Sequence, residues 1–147
     1  MRDWAEHSKE HQMSTEASAP TTMSPEDEKL WAALVHLAGM LGYLFGFVLL
    51  GFVPALIGYL LLRDRGPFIR AHTATALNFQ ISMLIYNVIG GILSLLLMII
   101  SVTVGVYTLV LVPAAIALFV IAFSIVAAVK ANKGYFYSYP LTIRFFS

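Results

Sequence analysis

Two histidines, His36 and His72, are the side chains best suited to proton or metal chemistry near neutral pH, because imidazole titrates there and can bind a metal. Each lies near the end of a long uncharged stretch, without the H-x-x-x-H spacing of a helical metal site. We expect each to donate a hydrogen bond to a neighbouring helix or lipid headgroup. A shared metal or proton site is the alternative. His7 and His11 lie four residues apart in a polar stretch that we expect to be solvated.

Motifs for other chemistry do not occur in the sequence. There is no cysteine, and therefore no thiol nucleophile or thiolate metal ligand. The G-x-S-x-G, P-loop and dinucleotide-binding patterns do not occur. Nine Lys and Arg against eight Asp and Glu give no overall attraction to nucleic acid. The sequence therefore predicts a non-enzymatic protein without a cofactor, a bound metal or a nucleic-acid partner.

Polar side chains recur every seven residues along one apolar stretch. This polar stripe consists of Thr73, Gln80, Asn87 and Ser94. Our main interpretation is hydrogen bonding between helices, which holds membrane bundles together where burial of apolar surface does not. The alternative is the lining of a wet path. No Asp, Glu, Lys or Arg lies within the stretch to couple such a path to an ion.

The elements that position these residues are membrane helices. Hydrophobic residues make up 59% of the 147 and charged residues 12%, against about 45–50% and about 25% in soluble domains. Formal charges are absent from 30–62 and from 71–129. Because a crossing needs about 20 apolar residues, the second stretch suits two helices. The first is long for one helix and short for two.

We therefore predict an all-α transmembrane bundle over 25–146, preceded by a disordered polar tail over 1–24. The expected segments, of which the second is short, are 25–49, 53–63, 67–100 and 106–133. Ser24, Pro25 and the acidic residues after them start the first helix. Met23 is an alternative start of the chain.

The basic residues set the expected topology, because Lys and Arg near span ends stay cytoplasmic. The strongly basic segments, 63–70 and 130–144, are separated by two expected spans. We expect four segments in the bacterial cytoplasmic membrane, with both termini in the cytoplasm. The alternative has three crossings and an external N-terminus.

Several short motifs in 28–146 together resemble the Tic20-like family of small bacterial multi-pass membrane proteins. The most specific are P-F-x-x-x-H followed by A-L-N-F-Q, and the ending Y-x-Y-P-L-T-I-R-F. The residues that carry the resemblance are Trp31, His36, Pro54, Pro67, Phe68, Arg70, His72, Asn78, Phe79, Gln80, Asn132, Gly134, Tyr139, Pro140 and Arg144.

The resemblance implies a helical bundle with no assigned catalytic residues. Through a distant likeness to a subunit of the chloroplast import translocon, it also implies a scaffold or a component related to protein translocation. Expected partners are membrane lipids, other membrane proteins or further copies of the chain. Two further hypotheses stay open: a small-solute or ion path lined by the polar stripe, and a lipid-interacting membrane-stress factor.

Overall fold

The computed structural model describes Trp4 and residues 7–9, 22–45 and 50–147. In these ranges the chain forms α1 (Pro25–Phe45), α2 (Phe52–Leu62), α3 (Pro67–Ile100) and α4 (Val102–Asn132), with no strand. Residues 133–147 follow without a helix and are called the C-terminal segment. The predicted all-α fold is confirmed for the described residues. Most of the predicted tail, and residues 46–49 of the first predicted helix, lie outside them.

Local sequence explains where the helices begin. Ser24 Oγ accepts a hydrogen bond from Asp27 N at 3.1 Å, which satisfies a free amide of the first turn of α1. Pro67 opens α3, where its missing N–H has no cost. The structure differs from the sequence prediction at α4, which begins at Val102 rather than at 106. Ser101 is extended and its side chain caps the helix, so one residue replaces the expected loop.

α2 runs back along α1 as the second arm of a hairpin. Near the turn, a Cβ atom at Gly42 would lie 2.6 Å from Pro54 Cγ. Further along, a Cβ at Gly58 would lie 2.9 Å from a methyl group of Val35. These close approaches require glycine. α1 also packs on α3 and α4, and α2 packs on α3.

In the part of the chain that the structure describes, two helices are long and apolar enough to cross a membrane: α3 with 34 residues and α4 with 31. At the helical rise they measure about 51 and about 46 Å, more than the hydrocarbon thickness of about 30 Å. α2 has 11 residues and a length of about 16 Å, too short for a crossing. The prediction of a membrane protein is supported, whereas four membrane segments are not confirmed.

Charged residues gather where α1 and α3 begin and where α2 and α4 end. Met23 N donates to Arg65 O at 2.9 Å. Glu28 Oε2 accepts from Ile69 N at 2.8 Å, so a carboxylate from α1 caps the positive end of α3. Lys29 lies against Gly134, just past α4. This part of the molecule is called the charged end. The α3–α4 turn at Ser101 is the opposite end, called the far end.

Candidate functional site

A buried chain of three polar side chains joins α1, α3 and the C-terminal segment. His36 Nε2 lies 2.9 Å from His72 Nδ1, and Tyr139 Oη lies 3.0 Å from His36 Nδ1. His36 and His72 are each 1% exposed and Tyr139 is 5% exposed. The sequence predicted that each histidine donates a hydrogen bond to a neighbouring helix or a lipid headgroup. His36 contacts α3 and the C-terminal segment, 36 and 103 residues away along the chain, whereas Nε2 of His72 is buried without a hydrogen-bond partner.

A single neutral tautomer of His36 accounts for both contacts. A neutral imidazole has one donor and one acceptor nitrogen. If Tyr139 donates its hydroxyl proton to Nδ1, then Nε2 of His36 carries its proton and donates to His72. His72 Nδ1 and Tyr139 Oη lie against different nitrogen atoms of the His36 ring. The three side chains therefore form a hydrogen-bond chain. They do not converge on one point, as the ligands of a single metal ion would. Among the described residues, no three His, Asp or Glu side chains are grouped to hold a metal.

Aromatic packing fixes both ends of this chain. The rings of Phe79 and Tyr139 stack with centroids 3.8 Å apart. The ring of Phe68 lies 4.4 Å from that of His72 and 5.1 Å from that of Phe136. Burial raises the pKa of the Tyr139 hydroxyl above its ordinary value. Tyr139 is therefore a neutral hydrogen-bonding group at physiological pH.

Side chains on one face of α3 hold the main chain of the C-terminal segment. Asn78 Oδ1 accepts from Phe145 N and Phe146 N, both at 2.9 Å, and Nδ2 donates to Phe146 O at 2.8 Å. Ser82 Oγ accepts from Ile143 N at 2.9 Å. These contacts, with the two described next, are called the α3 ladder.

The α3 ladder extends at both ends. Tyr86 Oη donates to Leu141 O at 2.9 Å, and the Arg70 guanidinium lies 3.3–3.4 Å from Ser147 O. Four residues along a helix advance about 6 Å, and two residues of extended chain advance about 6.6 Å. Partners four apart on α3 therefore match residues two apart in the C-terminal segment, which runs in the opposite direction.

Sequence reasoning identified Asn78 but missed Ser82 and Tyr86. The available signal was their spacing, since the three lie four residues apart on one helix face. An extended segment near a membrane needs such partners, because unpaired peptide groups are costly there.

The residues of the polar stripe have different surroundings. Asn87 Nδ2 donates to Tyr43 Oη on α1 at 2.8 Å and to Met83 O. Gln80 is buried against Gly39 of α1. Thr73 and Ser94 hydroxyls donate to carbonyls of their own helix, at Arg70 and Gly90 respectively. The structure therefore brings two of the four against α1, and the role of the stripe stays a prediction.

The other residues singled out from the sequence lie apart. Trp31 is 45% exposed, and Pro54 packs on Gly42. Asn132 is the last residue of α4, and Gly134 follows in a left-handed conformation with φ 80°. Pro140 forms a turn with Leu141, and Arg144 is exposed in the C-terminal segment. No shared chemical site gathers these residues.

The fold and site together define a small helical membrane protein whose buried polar groups join helices and fix a C-terminal segment. Residues 27–146 match the family described as the magnetosome magnetite crystal formation proteins, MamF/MmsF, and the chain belongs to that family. No curated protein and no solved structure matches the chain.

The prediction of a Tic20-like protein is wrong, because the family match covers the same region and names a different family. The motifs behind that resemblance are packing features here. Phe68, His72 and Asn78 pack α3 against the C-terminal segment. The role in protein translocation that the resemblance implied is withdrawn with it.

Proposed function

We propose that this protein is a non-enzymatic, multi-pass component of magnetite crystal formation that acts within the membrane enclosing the crystal. Family membership over residues 27–146 carries the proposal. Two apolar helices of sufficient length support a membrane location. The polar interior supports a structural role, because His36, His72 and Asn78 bond other parts of the chain.

The topology that we propose follows from the distribution of charge. α3 and α4 cross the bilayer, whereas α1 and α2 enter it and return on the same side. The charged end then carries the basic residues Arg63, Arg70, Lys130 and Lys133 and is cytoplasmic by the positive-inside rule. Both termini lie on that side.

This topology limits how the protein can influence a crystal. Residues 71–129, which include the whole far end, carry no formal charge. Carboxylate and other oxygen ligands suit hard metal cations, and every formal charge in the described helices lies near the charged end. We therefore propose that the protein influences crystal growth through the membrane and its partners, without carboxylates on the far end.

The test is complementation in a magnetite-forming cell that lacks its own member of this family. Crystal length is measured by electron microscopy, with immunoblots showing equal membrane levels of each variant. Arg63→Gln with Lys130→Gln removes two basic charges of the charged end and should return crystals towards the size seen without the protein. Thr103→Ala with Tyr107→Ala alters the far end and should leave size unchanged. The opposite pattern would contradict the proposal.

A second candidate function is a path for water or small solutes. One observation favours it: Gln80 Oε1 and Asn87 Oδ1 are buried without hydrogen-bond partners, and internal water commonly satisfies such atoms. Past Asn87, however, α3 packs directly on α4. Gly90 of α3, for example, lies against Val112 of α4. In the part of the chain that the structure describes, two helices alone do not enclose a path, so this function would need further copies.

A further inference from the structure

A cavity of about 610 Å³ lies between α3 and the C-terminal segment. The segment leaves α4, turns at Pro140 and Leu141, and returns along α3, so that its two arms flank the opening. Ala71 and Ala74 of α3 lie between the arms, and their small side chains leave room there. The size falls within the range of about 300–1,000 Å³ typical of small-molecule sites.

The walls combine apolar and polar groups. Phe136 and Phe146 contribute aromatic surface, and Thr75, Ser138 and Thr142 contribute hydroxyls. Among the side chains of the lining, Arg144 carries the one formal charge. The neighbouring Arg70 is turned to Ser147 O.

Thr142 is a second, independent feature of this lining. Its hydroxyl oxygen is buried and has no hydrogen-bond partner within the protein. Buried hydroxyls in folded proteins are nearly always paired. That oxygen has almost no accessible surface, so a ligand oxygen in the cavity can bond it only after the Thr142 side chain rotates towards the cavity.

We propose that this cavity, called the headgroup pocket, binds the phosphate headgroup of an anionic phospholipid. Arg144 would meet the phosphate, the hydroxyl of Thr75 and, once its side chain rotates, that of Thr142 would bond its oxygens, and the aromatic rings would contact the upper acyl chain. Arginine suits phosphate because its planar guanidinium offers parallel N–H donors.

The position of the headgroup pocket favours a lipid over a soluble molecule as the source of the phosphate. The headgroup pocket lies in the half of the molecule that contains the charged end, and its α3 lining runs from Ala71 to Asn78. If α3 and α4 cross the bilayer, the roughly 20 residues that a crossing needs extend from the far end back to about residue 81. Ala71 to Asn78 are then level with the lipid headgroups, where basic residues meet anionic lipids. The walls of the pocket are partly apolar and partly cationic, so they complement a molecule that has an apolar part and an anionic part. This inference goes beyond the proposed function, because lipid binding can be measured without crystals.

The experiment measures lipid binding to the full chain in phosphatidylcholine nanodiscs that contain increasing fractions of phosphatidylglycerol. Native mass spectrometry counts retained lipid, and the thermal unfolding midpoint reports its effect on stability. The wild type should retain phosphatidylglycerol and unfold at a higher temperature in its presence. Arg144→Gln should weaken apparent binding by about tenfold, Thr142→Val should weaken it by a smaller factor, and Arg144→Lys should restore part of it.

The matched control is Lys133→Gln, which removes a cation from the same end but not from the pocket lining. It should bind like the wild type. An equal loss in Lys133→Gln and Arg144→Gln would indicate diffuse attraction and overturn the proposal, as would unchanged binding in Arg144→Gln. Unfolding in pure phosphatidylcholine shows whether each variant is folded. Equal protection by soluble glycerol phosphate in detergent would indicate a free phosphate ligand and overturn the assignment to lipid.

Discussion

Asn78 pairs with both main-chain groups of Phe146: its Nδ2 donates to the carbonyl at 2.8 Å and its Oδ1 accepts from the amide at 2.9 Å. The side chain of a helical residue thus presents the same donor and acceptor that a neighbouring strand would. This relationship fixes the C-terminal segment on α3 through its main chain.

Replacing Asn78 should therefore release the end of the C-terminal segment. Asn78→Ala removes three hydrogen bonds, including the one to Phe145 N. We expect the free energy of unfolding in detergent to fall by about 2–3 kcal/mol. Trypsin should also cleave after Arg144 much faster. Asn132→Ala, an exposed asparagine at the end of α4, is the control and should change neither measurement.

Ser82 should contribute less than Asn78. Its hydroxyl donates to Asn78 O at 2.7 Å and accepts from Ile143 N at 2.9 Å. Removing it in Ser82→Ala should lower the free energy of unfolding by about 1 kcal/mol. The two sites hold one segment, so the double variant should lose less than the sum of the single losses. Strict additivity in equilibrium unfolding would show that they act independently.

Tyr139 should make the protein sensitive to alkali. Burial raises its pKa in the folded state, so above about pH 10, the ordinary value, the unfolded chain loses this proton first. The contribution of this group to the free energy of unfolding is fully present below that pH. It decreases as the pH rises towards the folded pKa, by at most about 1.4 kcal/mol per pH unit. In Tyr139→Phe, the free energy of unfolding measured between pH 9 and 11 should therefore fall less steeply with pH than in the wild type.

The same variant tests the buried chain at neutral pH. Tyr139→Phe keeps the ring stacked on Phe79 but leaves His36 Nδ1 without its partner. A loss of about 1–3 kcal/mol is expected. Tyr135→Phe, at a residue 64% exposed, is the matched control. Equal stability of the two variants would show that the Tyr139 hydroxyl is unimportant.

The sequence predicted the helical elements because their signals are local. Pro67 and the Ser24 cap set the helix starts within a few residues of each position. The absence of formal charge along α3 after Arg70 can likewise be read directly from the sequence. The pairing of His36 with His72 was not predictable in detail, because it depends on how α1 packs against α3. The α3 ladder was missed for a related reason: side chains that bond a remote main chain leave only a spacing of four residues in the sequence.

The motifs behind the Tic20-like prediction serve packing in this structure, and the family that matches is a different one. Aromatic residues around Tyr139 and an asparagine facing a returning chain stabilise the fold whatever its role. Function is therefore poorly constrained by them, in accordance with the rule that one fold serves many functions.

Topology can be tested with single cysteines and an impermeant thiol reagent in intact bacteria that make no crystals and carry the protein in the cytoplasmic membrane. If the charged end is cytoplasmic, cysteines at Asp64 and Ser138 should be protected, whereas one at Thr103 should react. Both protected positions are exposed on the protein surface, so they should react once the membrane is permeabilised. Reaction at Asp64 in intact cells would reverse the proposed orientation.

The contact between Asn87 and Tyr43 separates the packing role of the polar stripe from a wet path. Asn87 Nδ2 donates to Tyr43 Oη at 2.8 Å across the α1–α3 interface. If packing is its role, Asn87→Leu should lower the free energy of unfolding by about 1 kcal/mol, as for other contacts between membrane helices. Tyr43→Phe should have a similar effect, and the double variant should lose little more than either single variant. Water and small-solute flux in liposomes should stay at the wild-type level. A stable Asn87→Leu protein with altered flux would instead support the path, because leucine fits a lipid-like interior but closes a hydrated one.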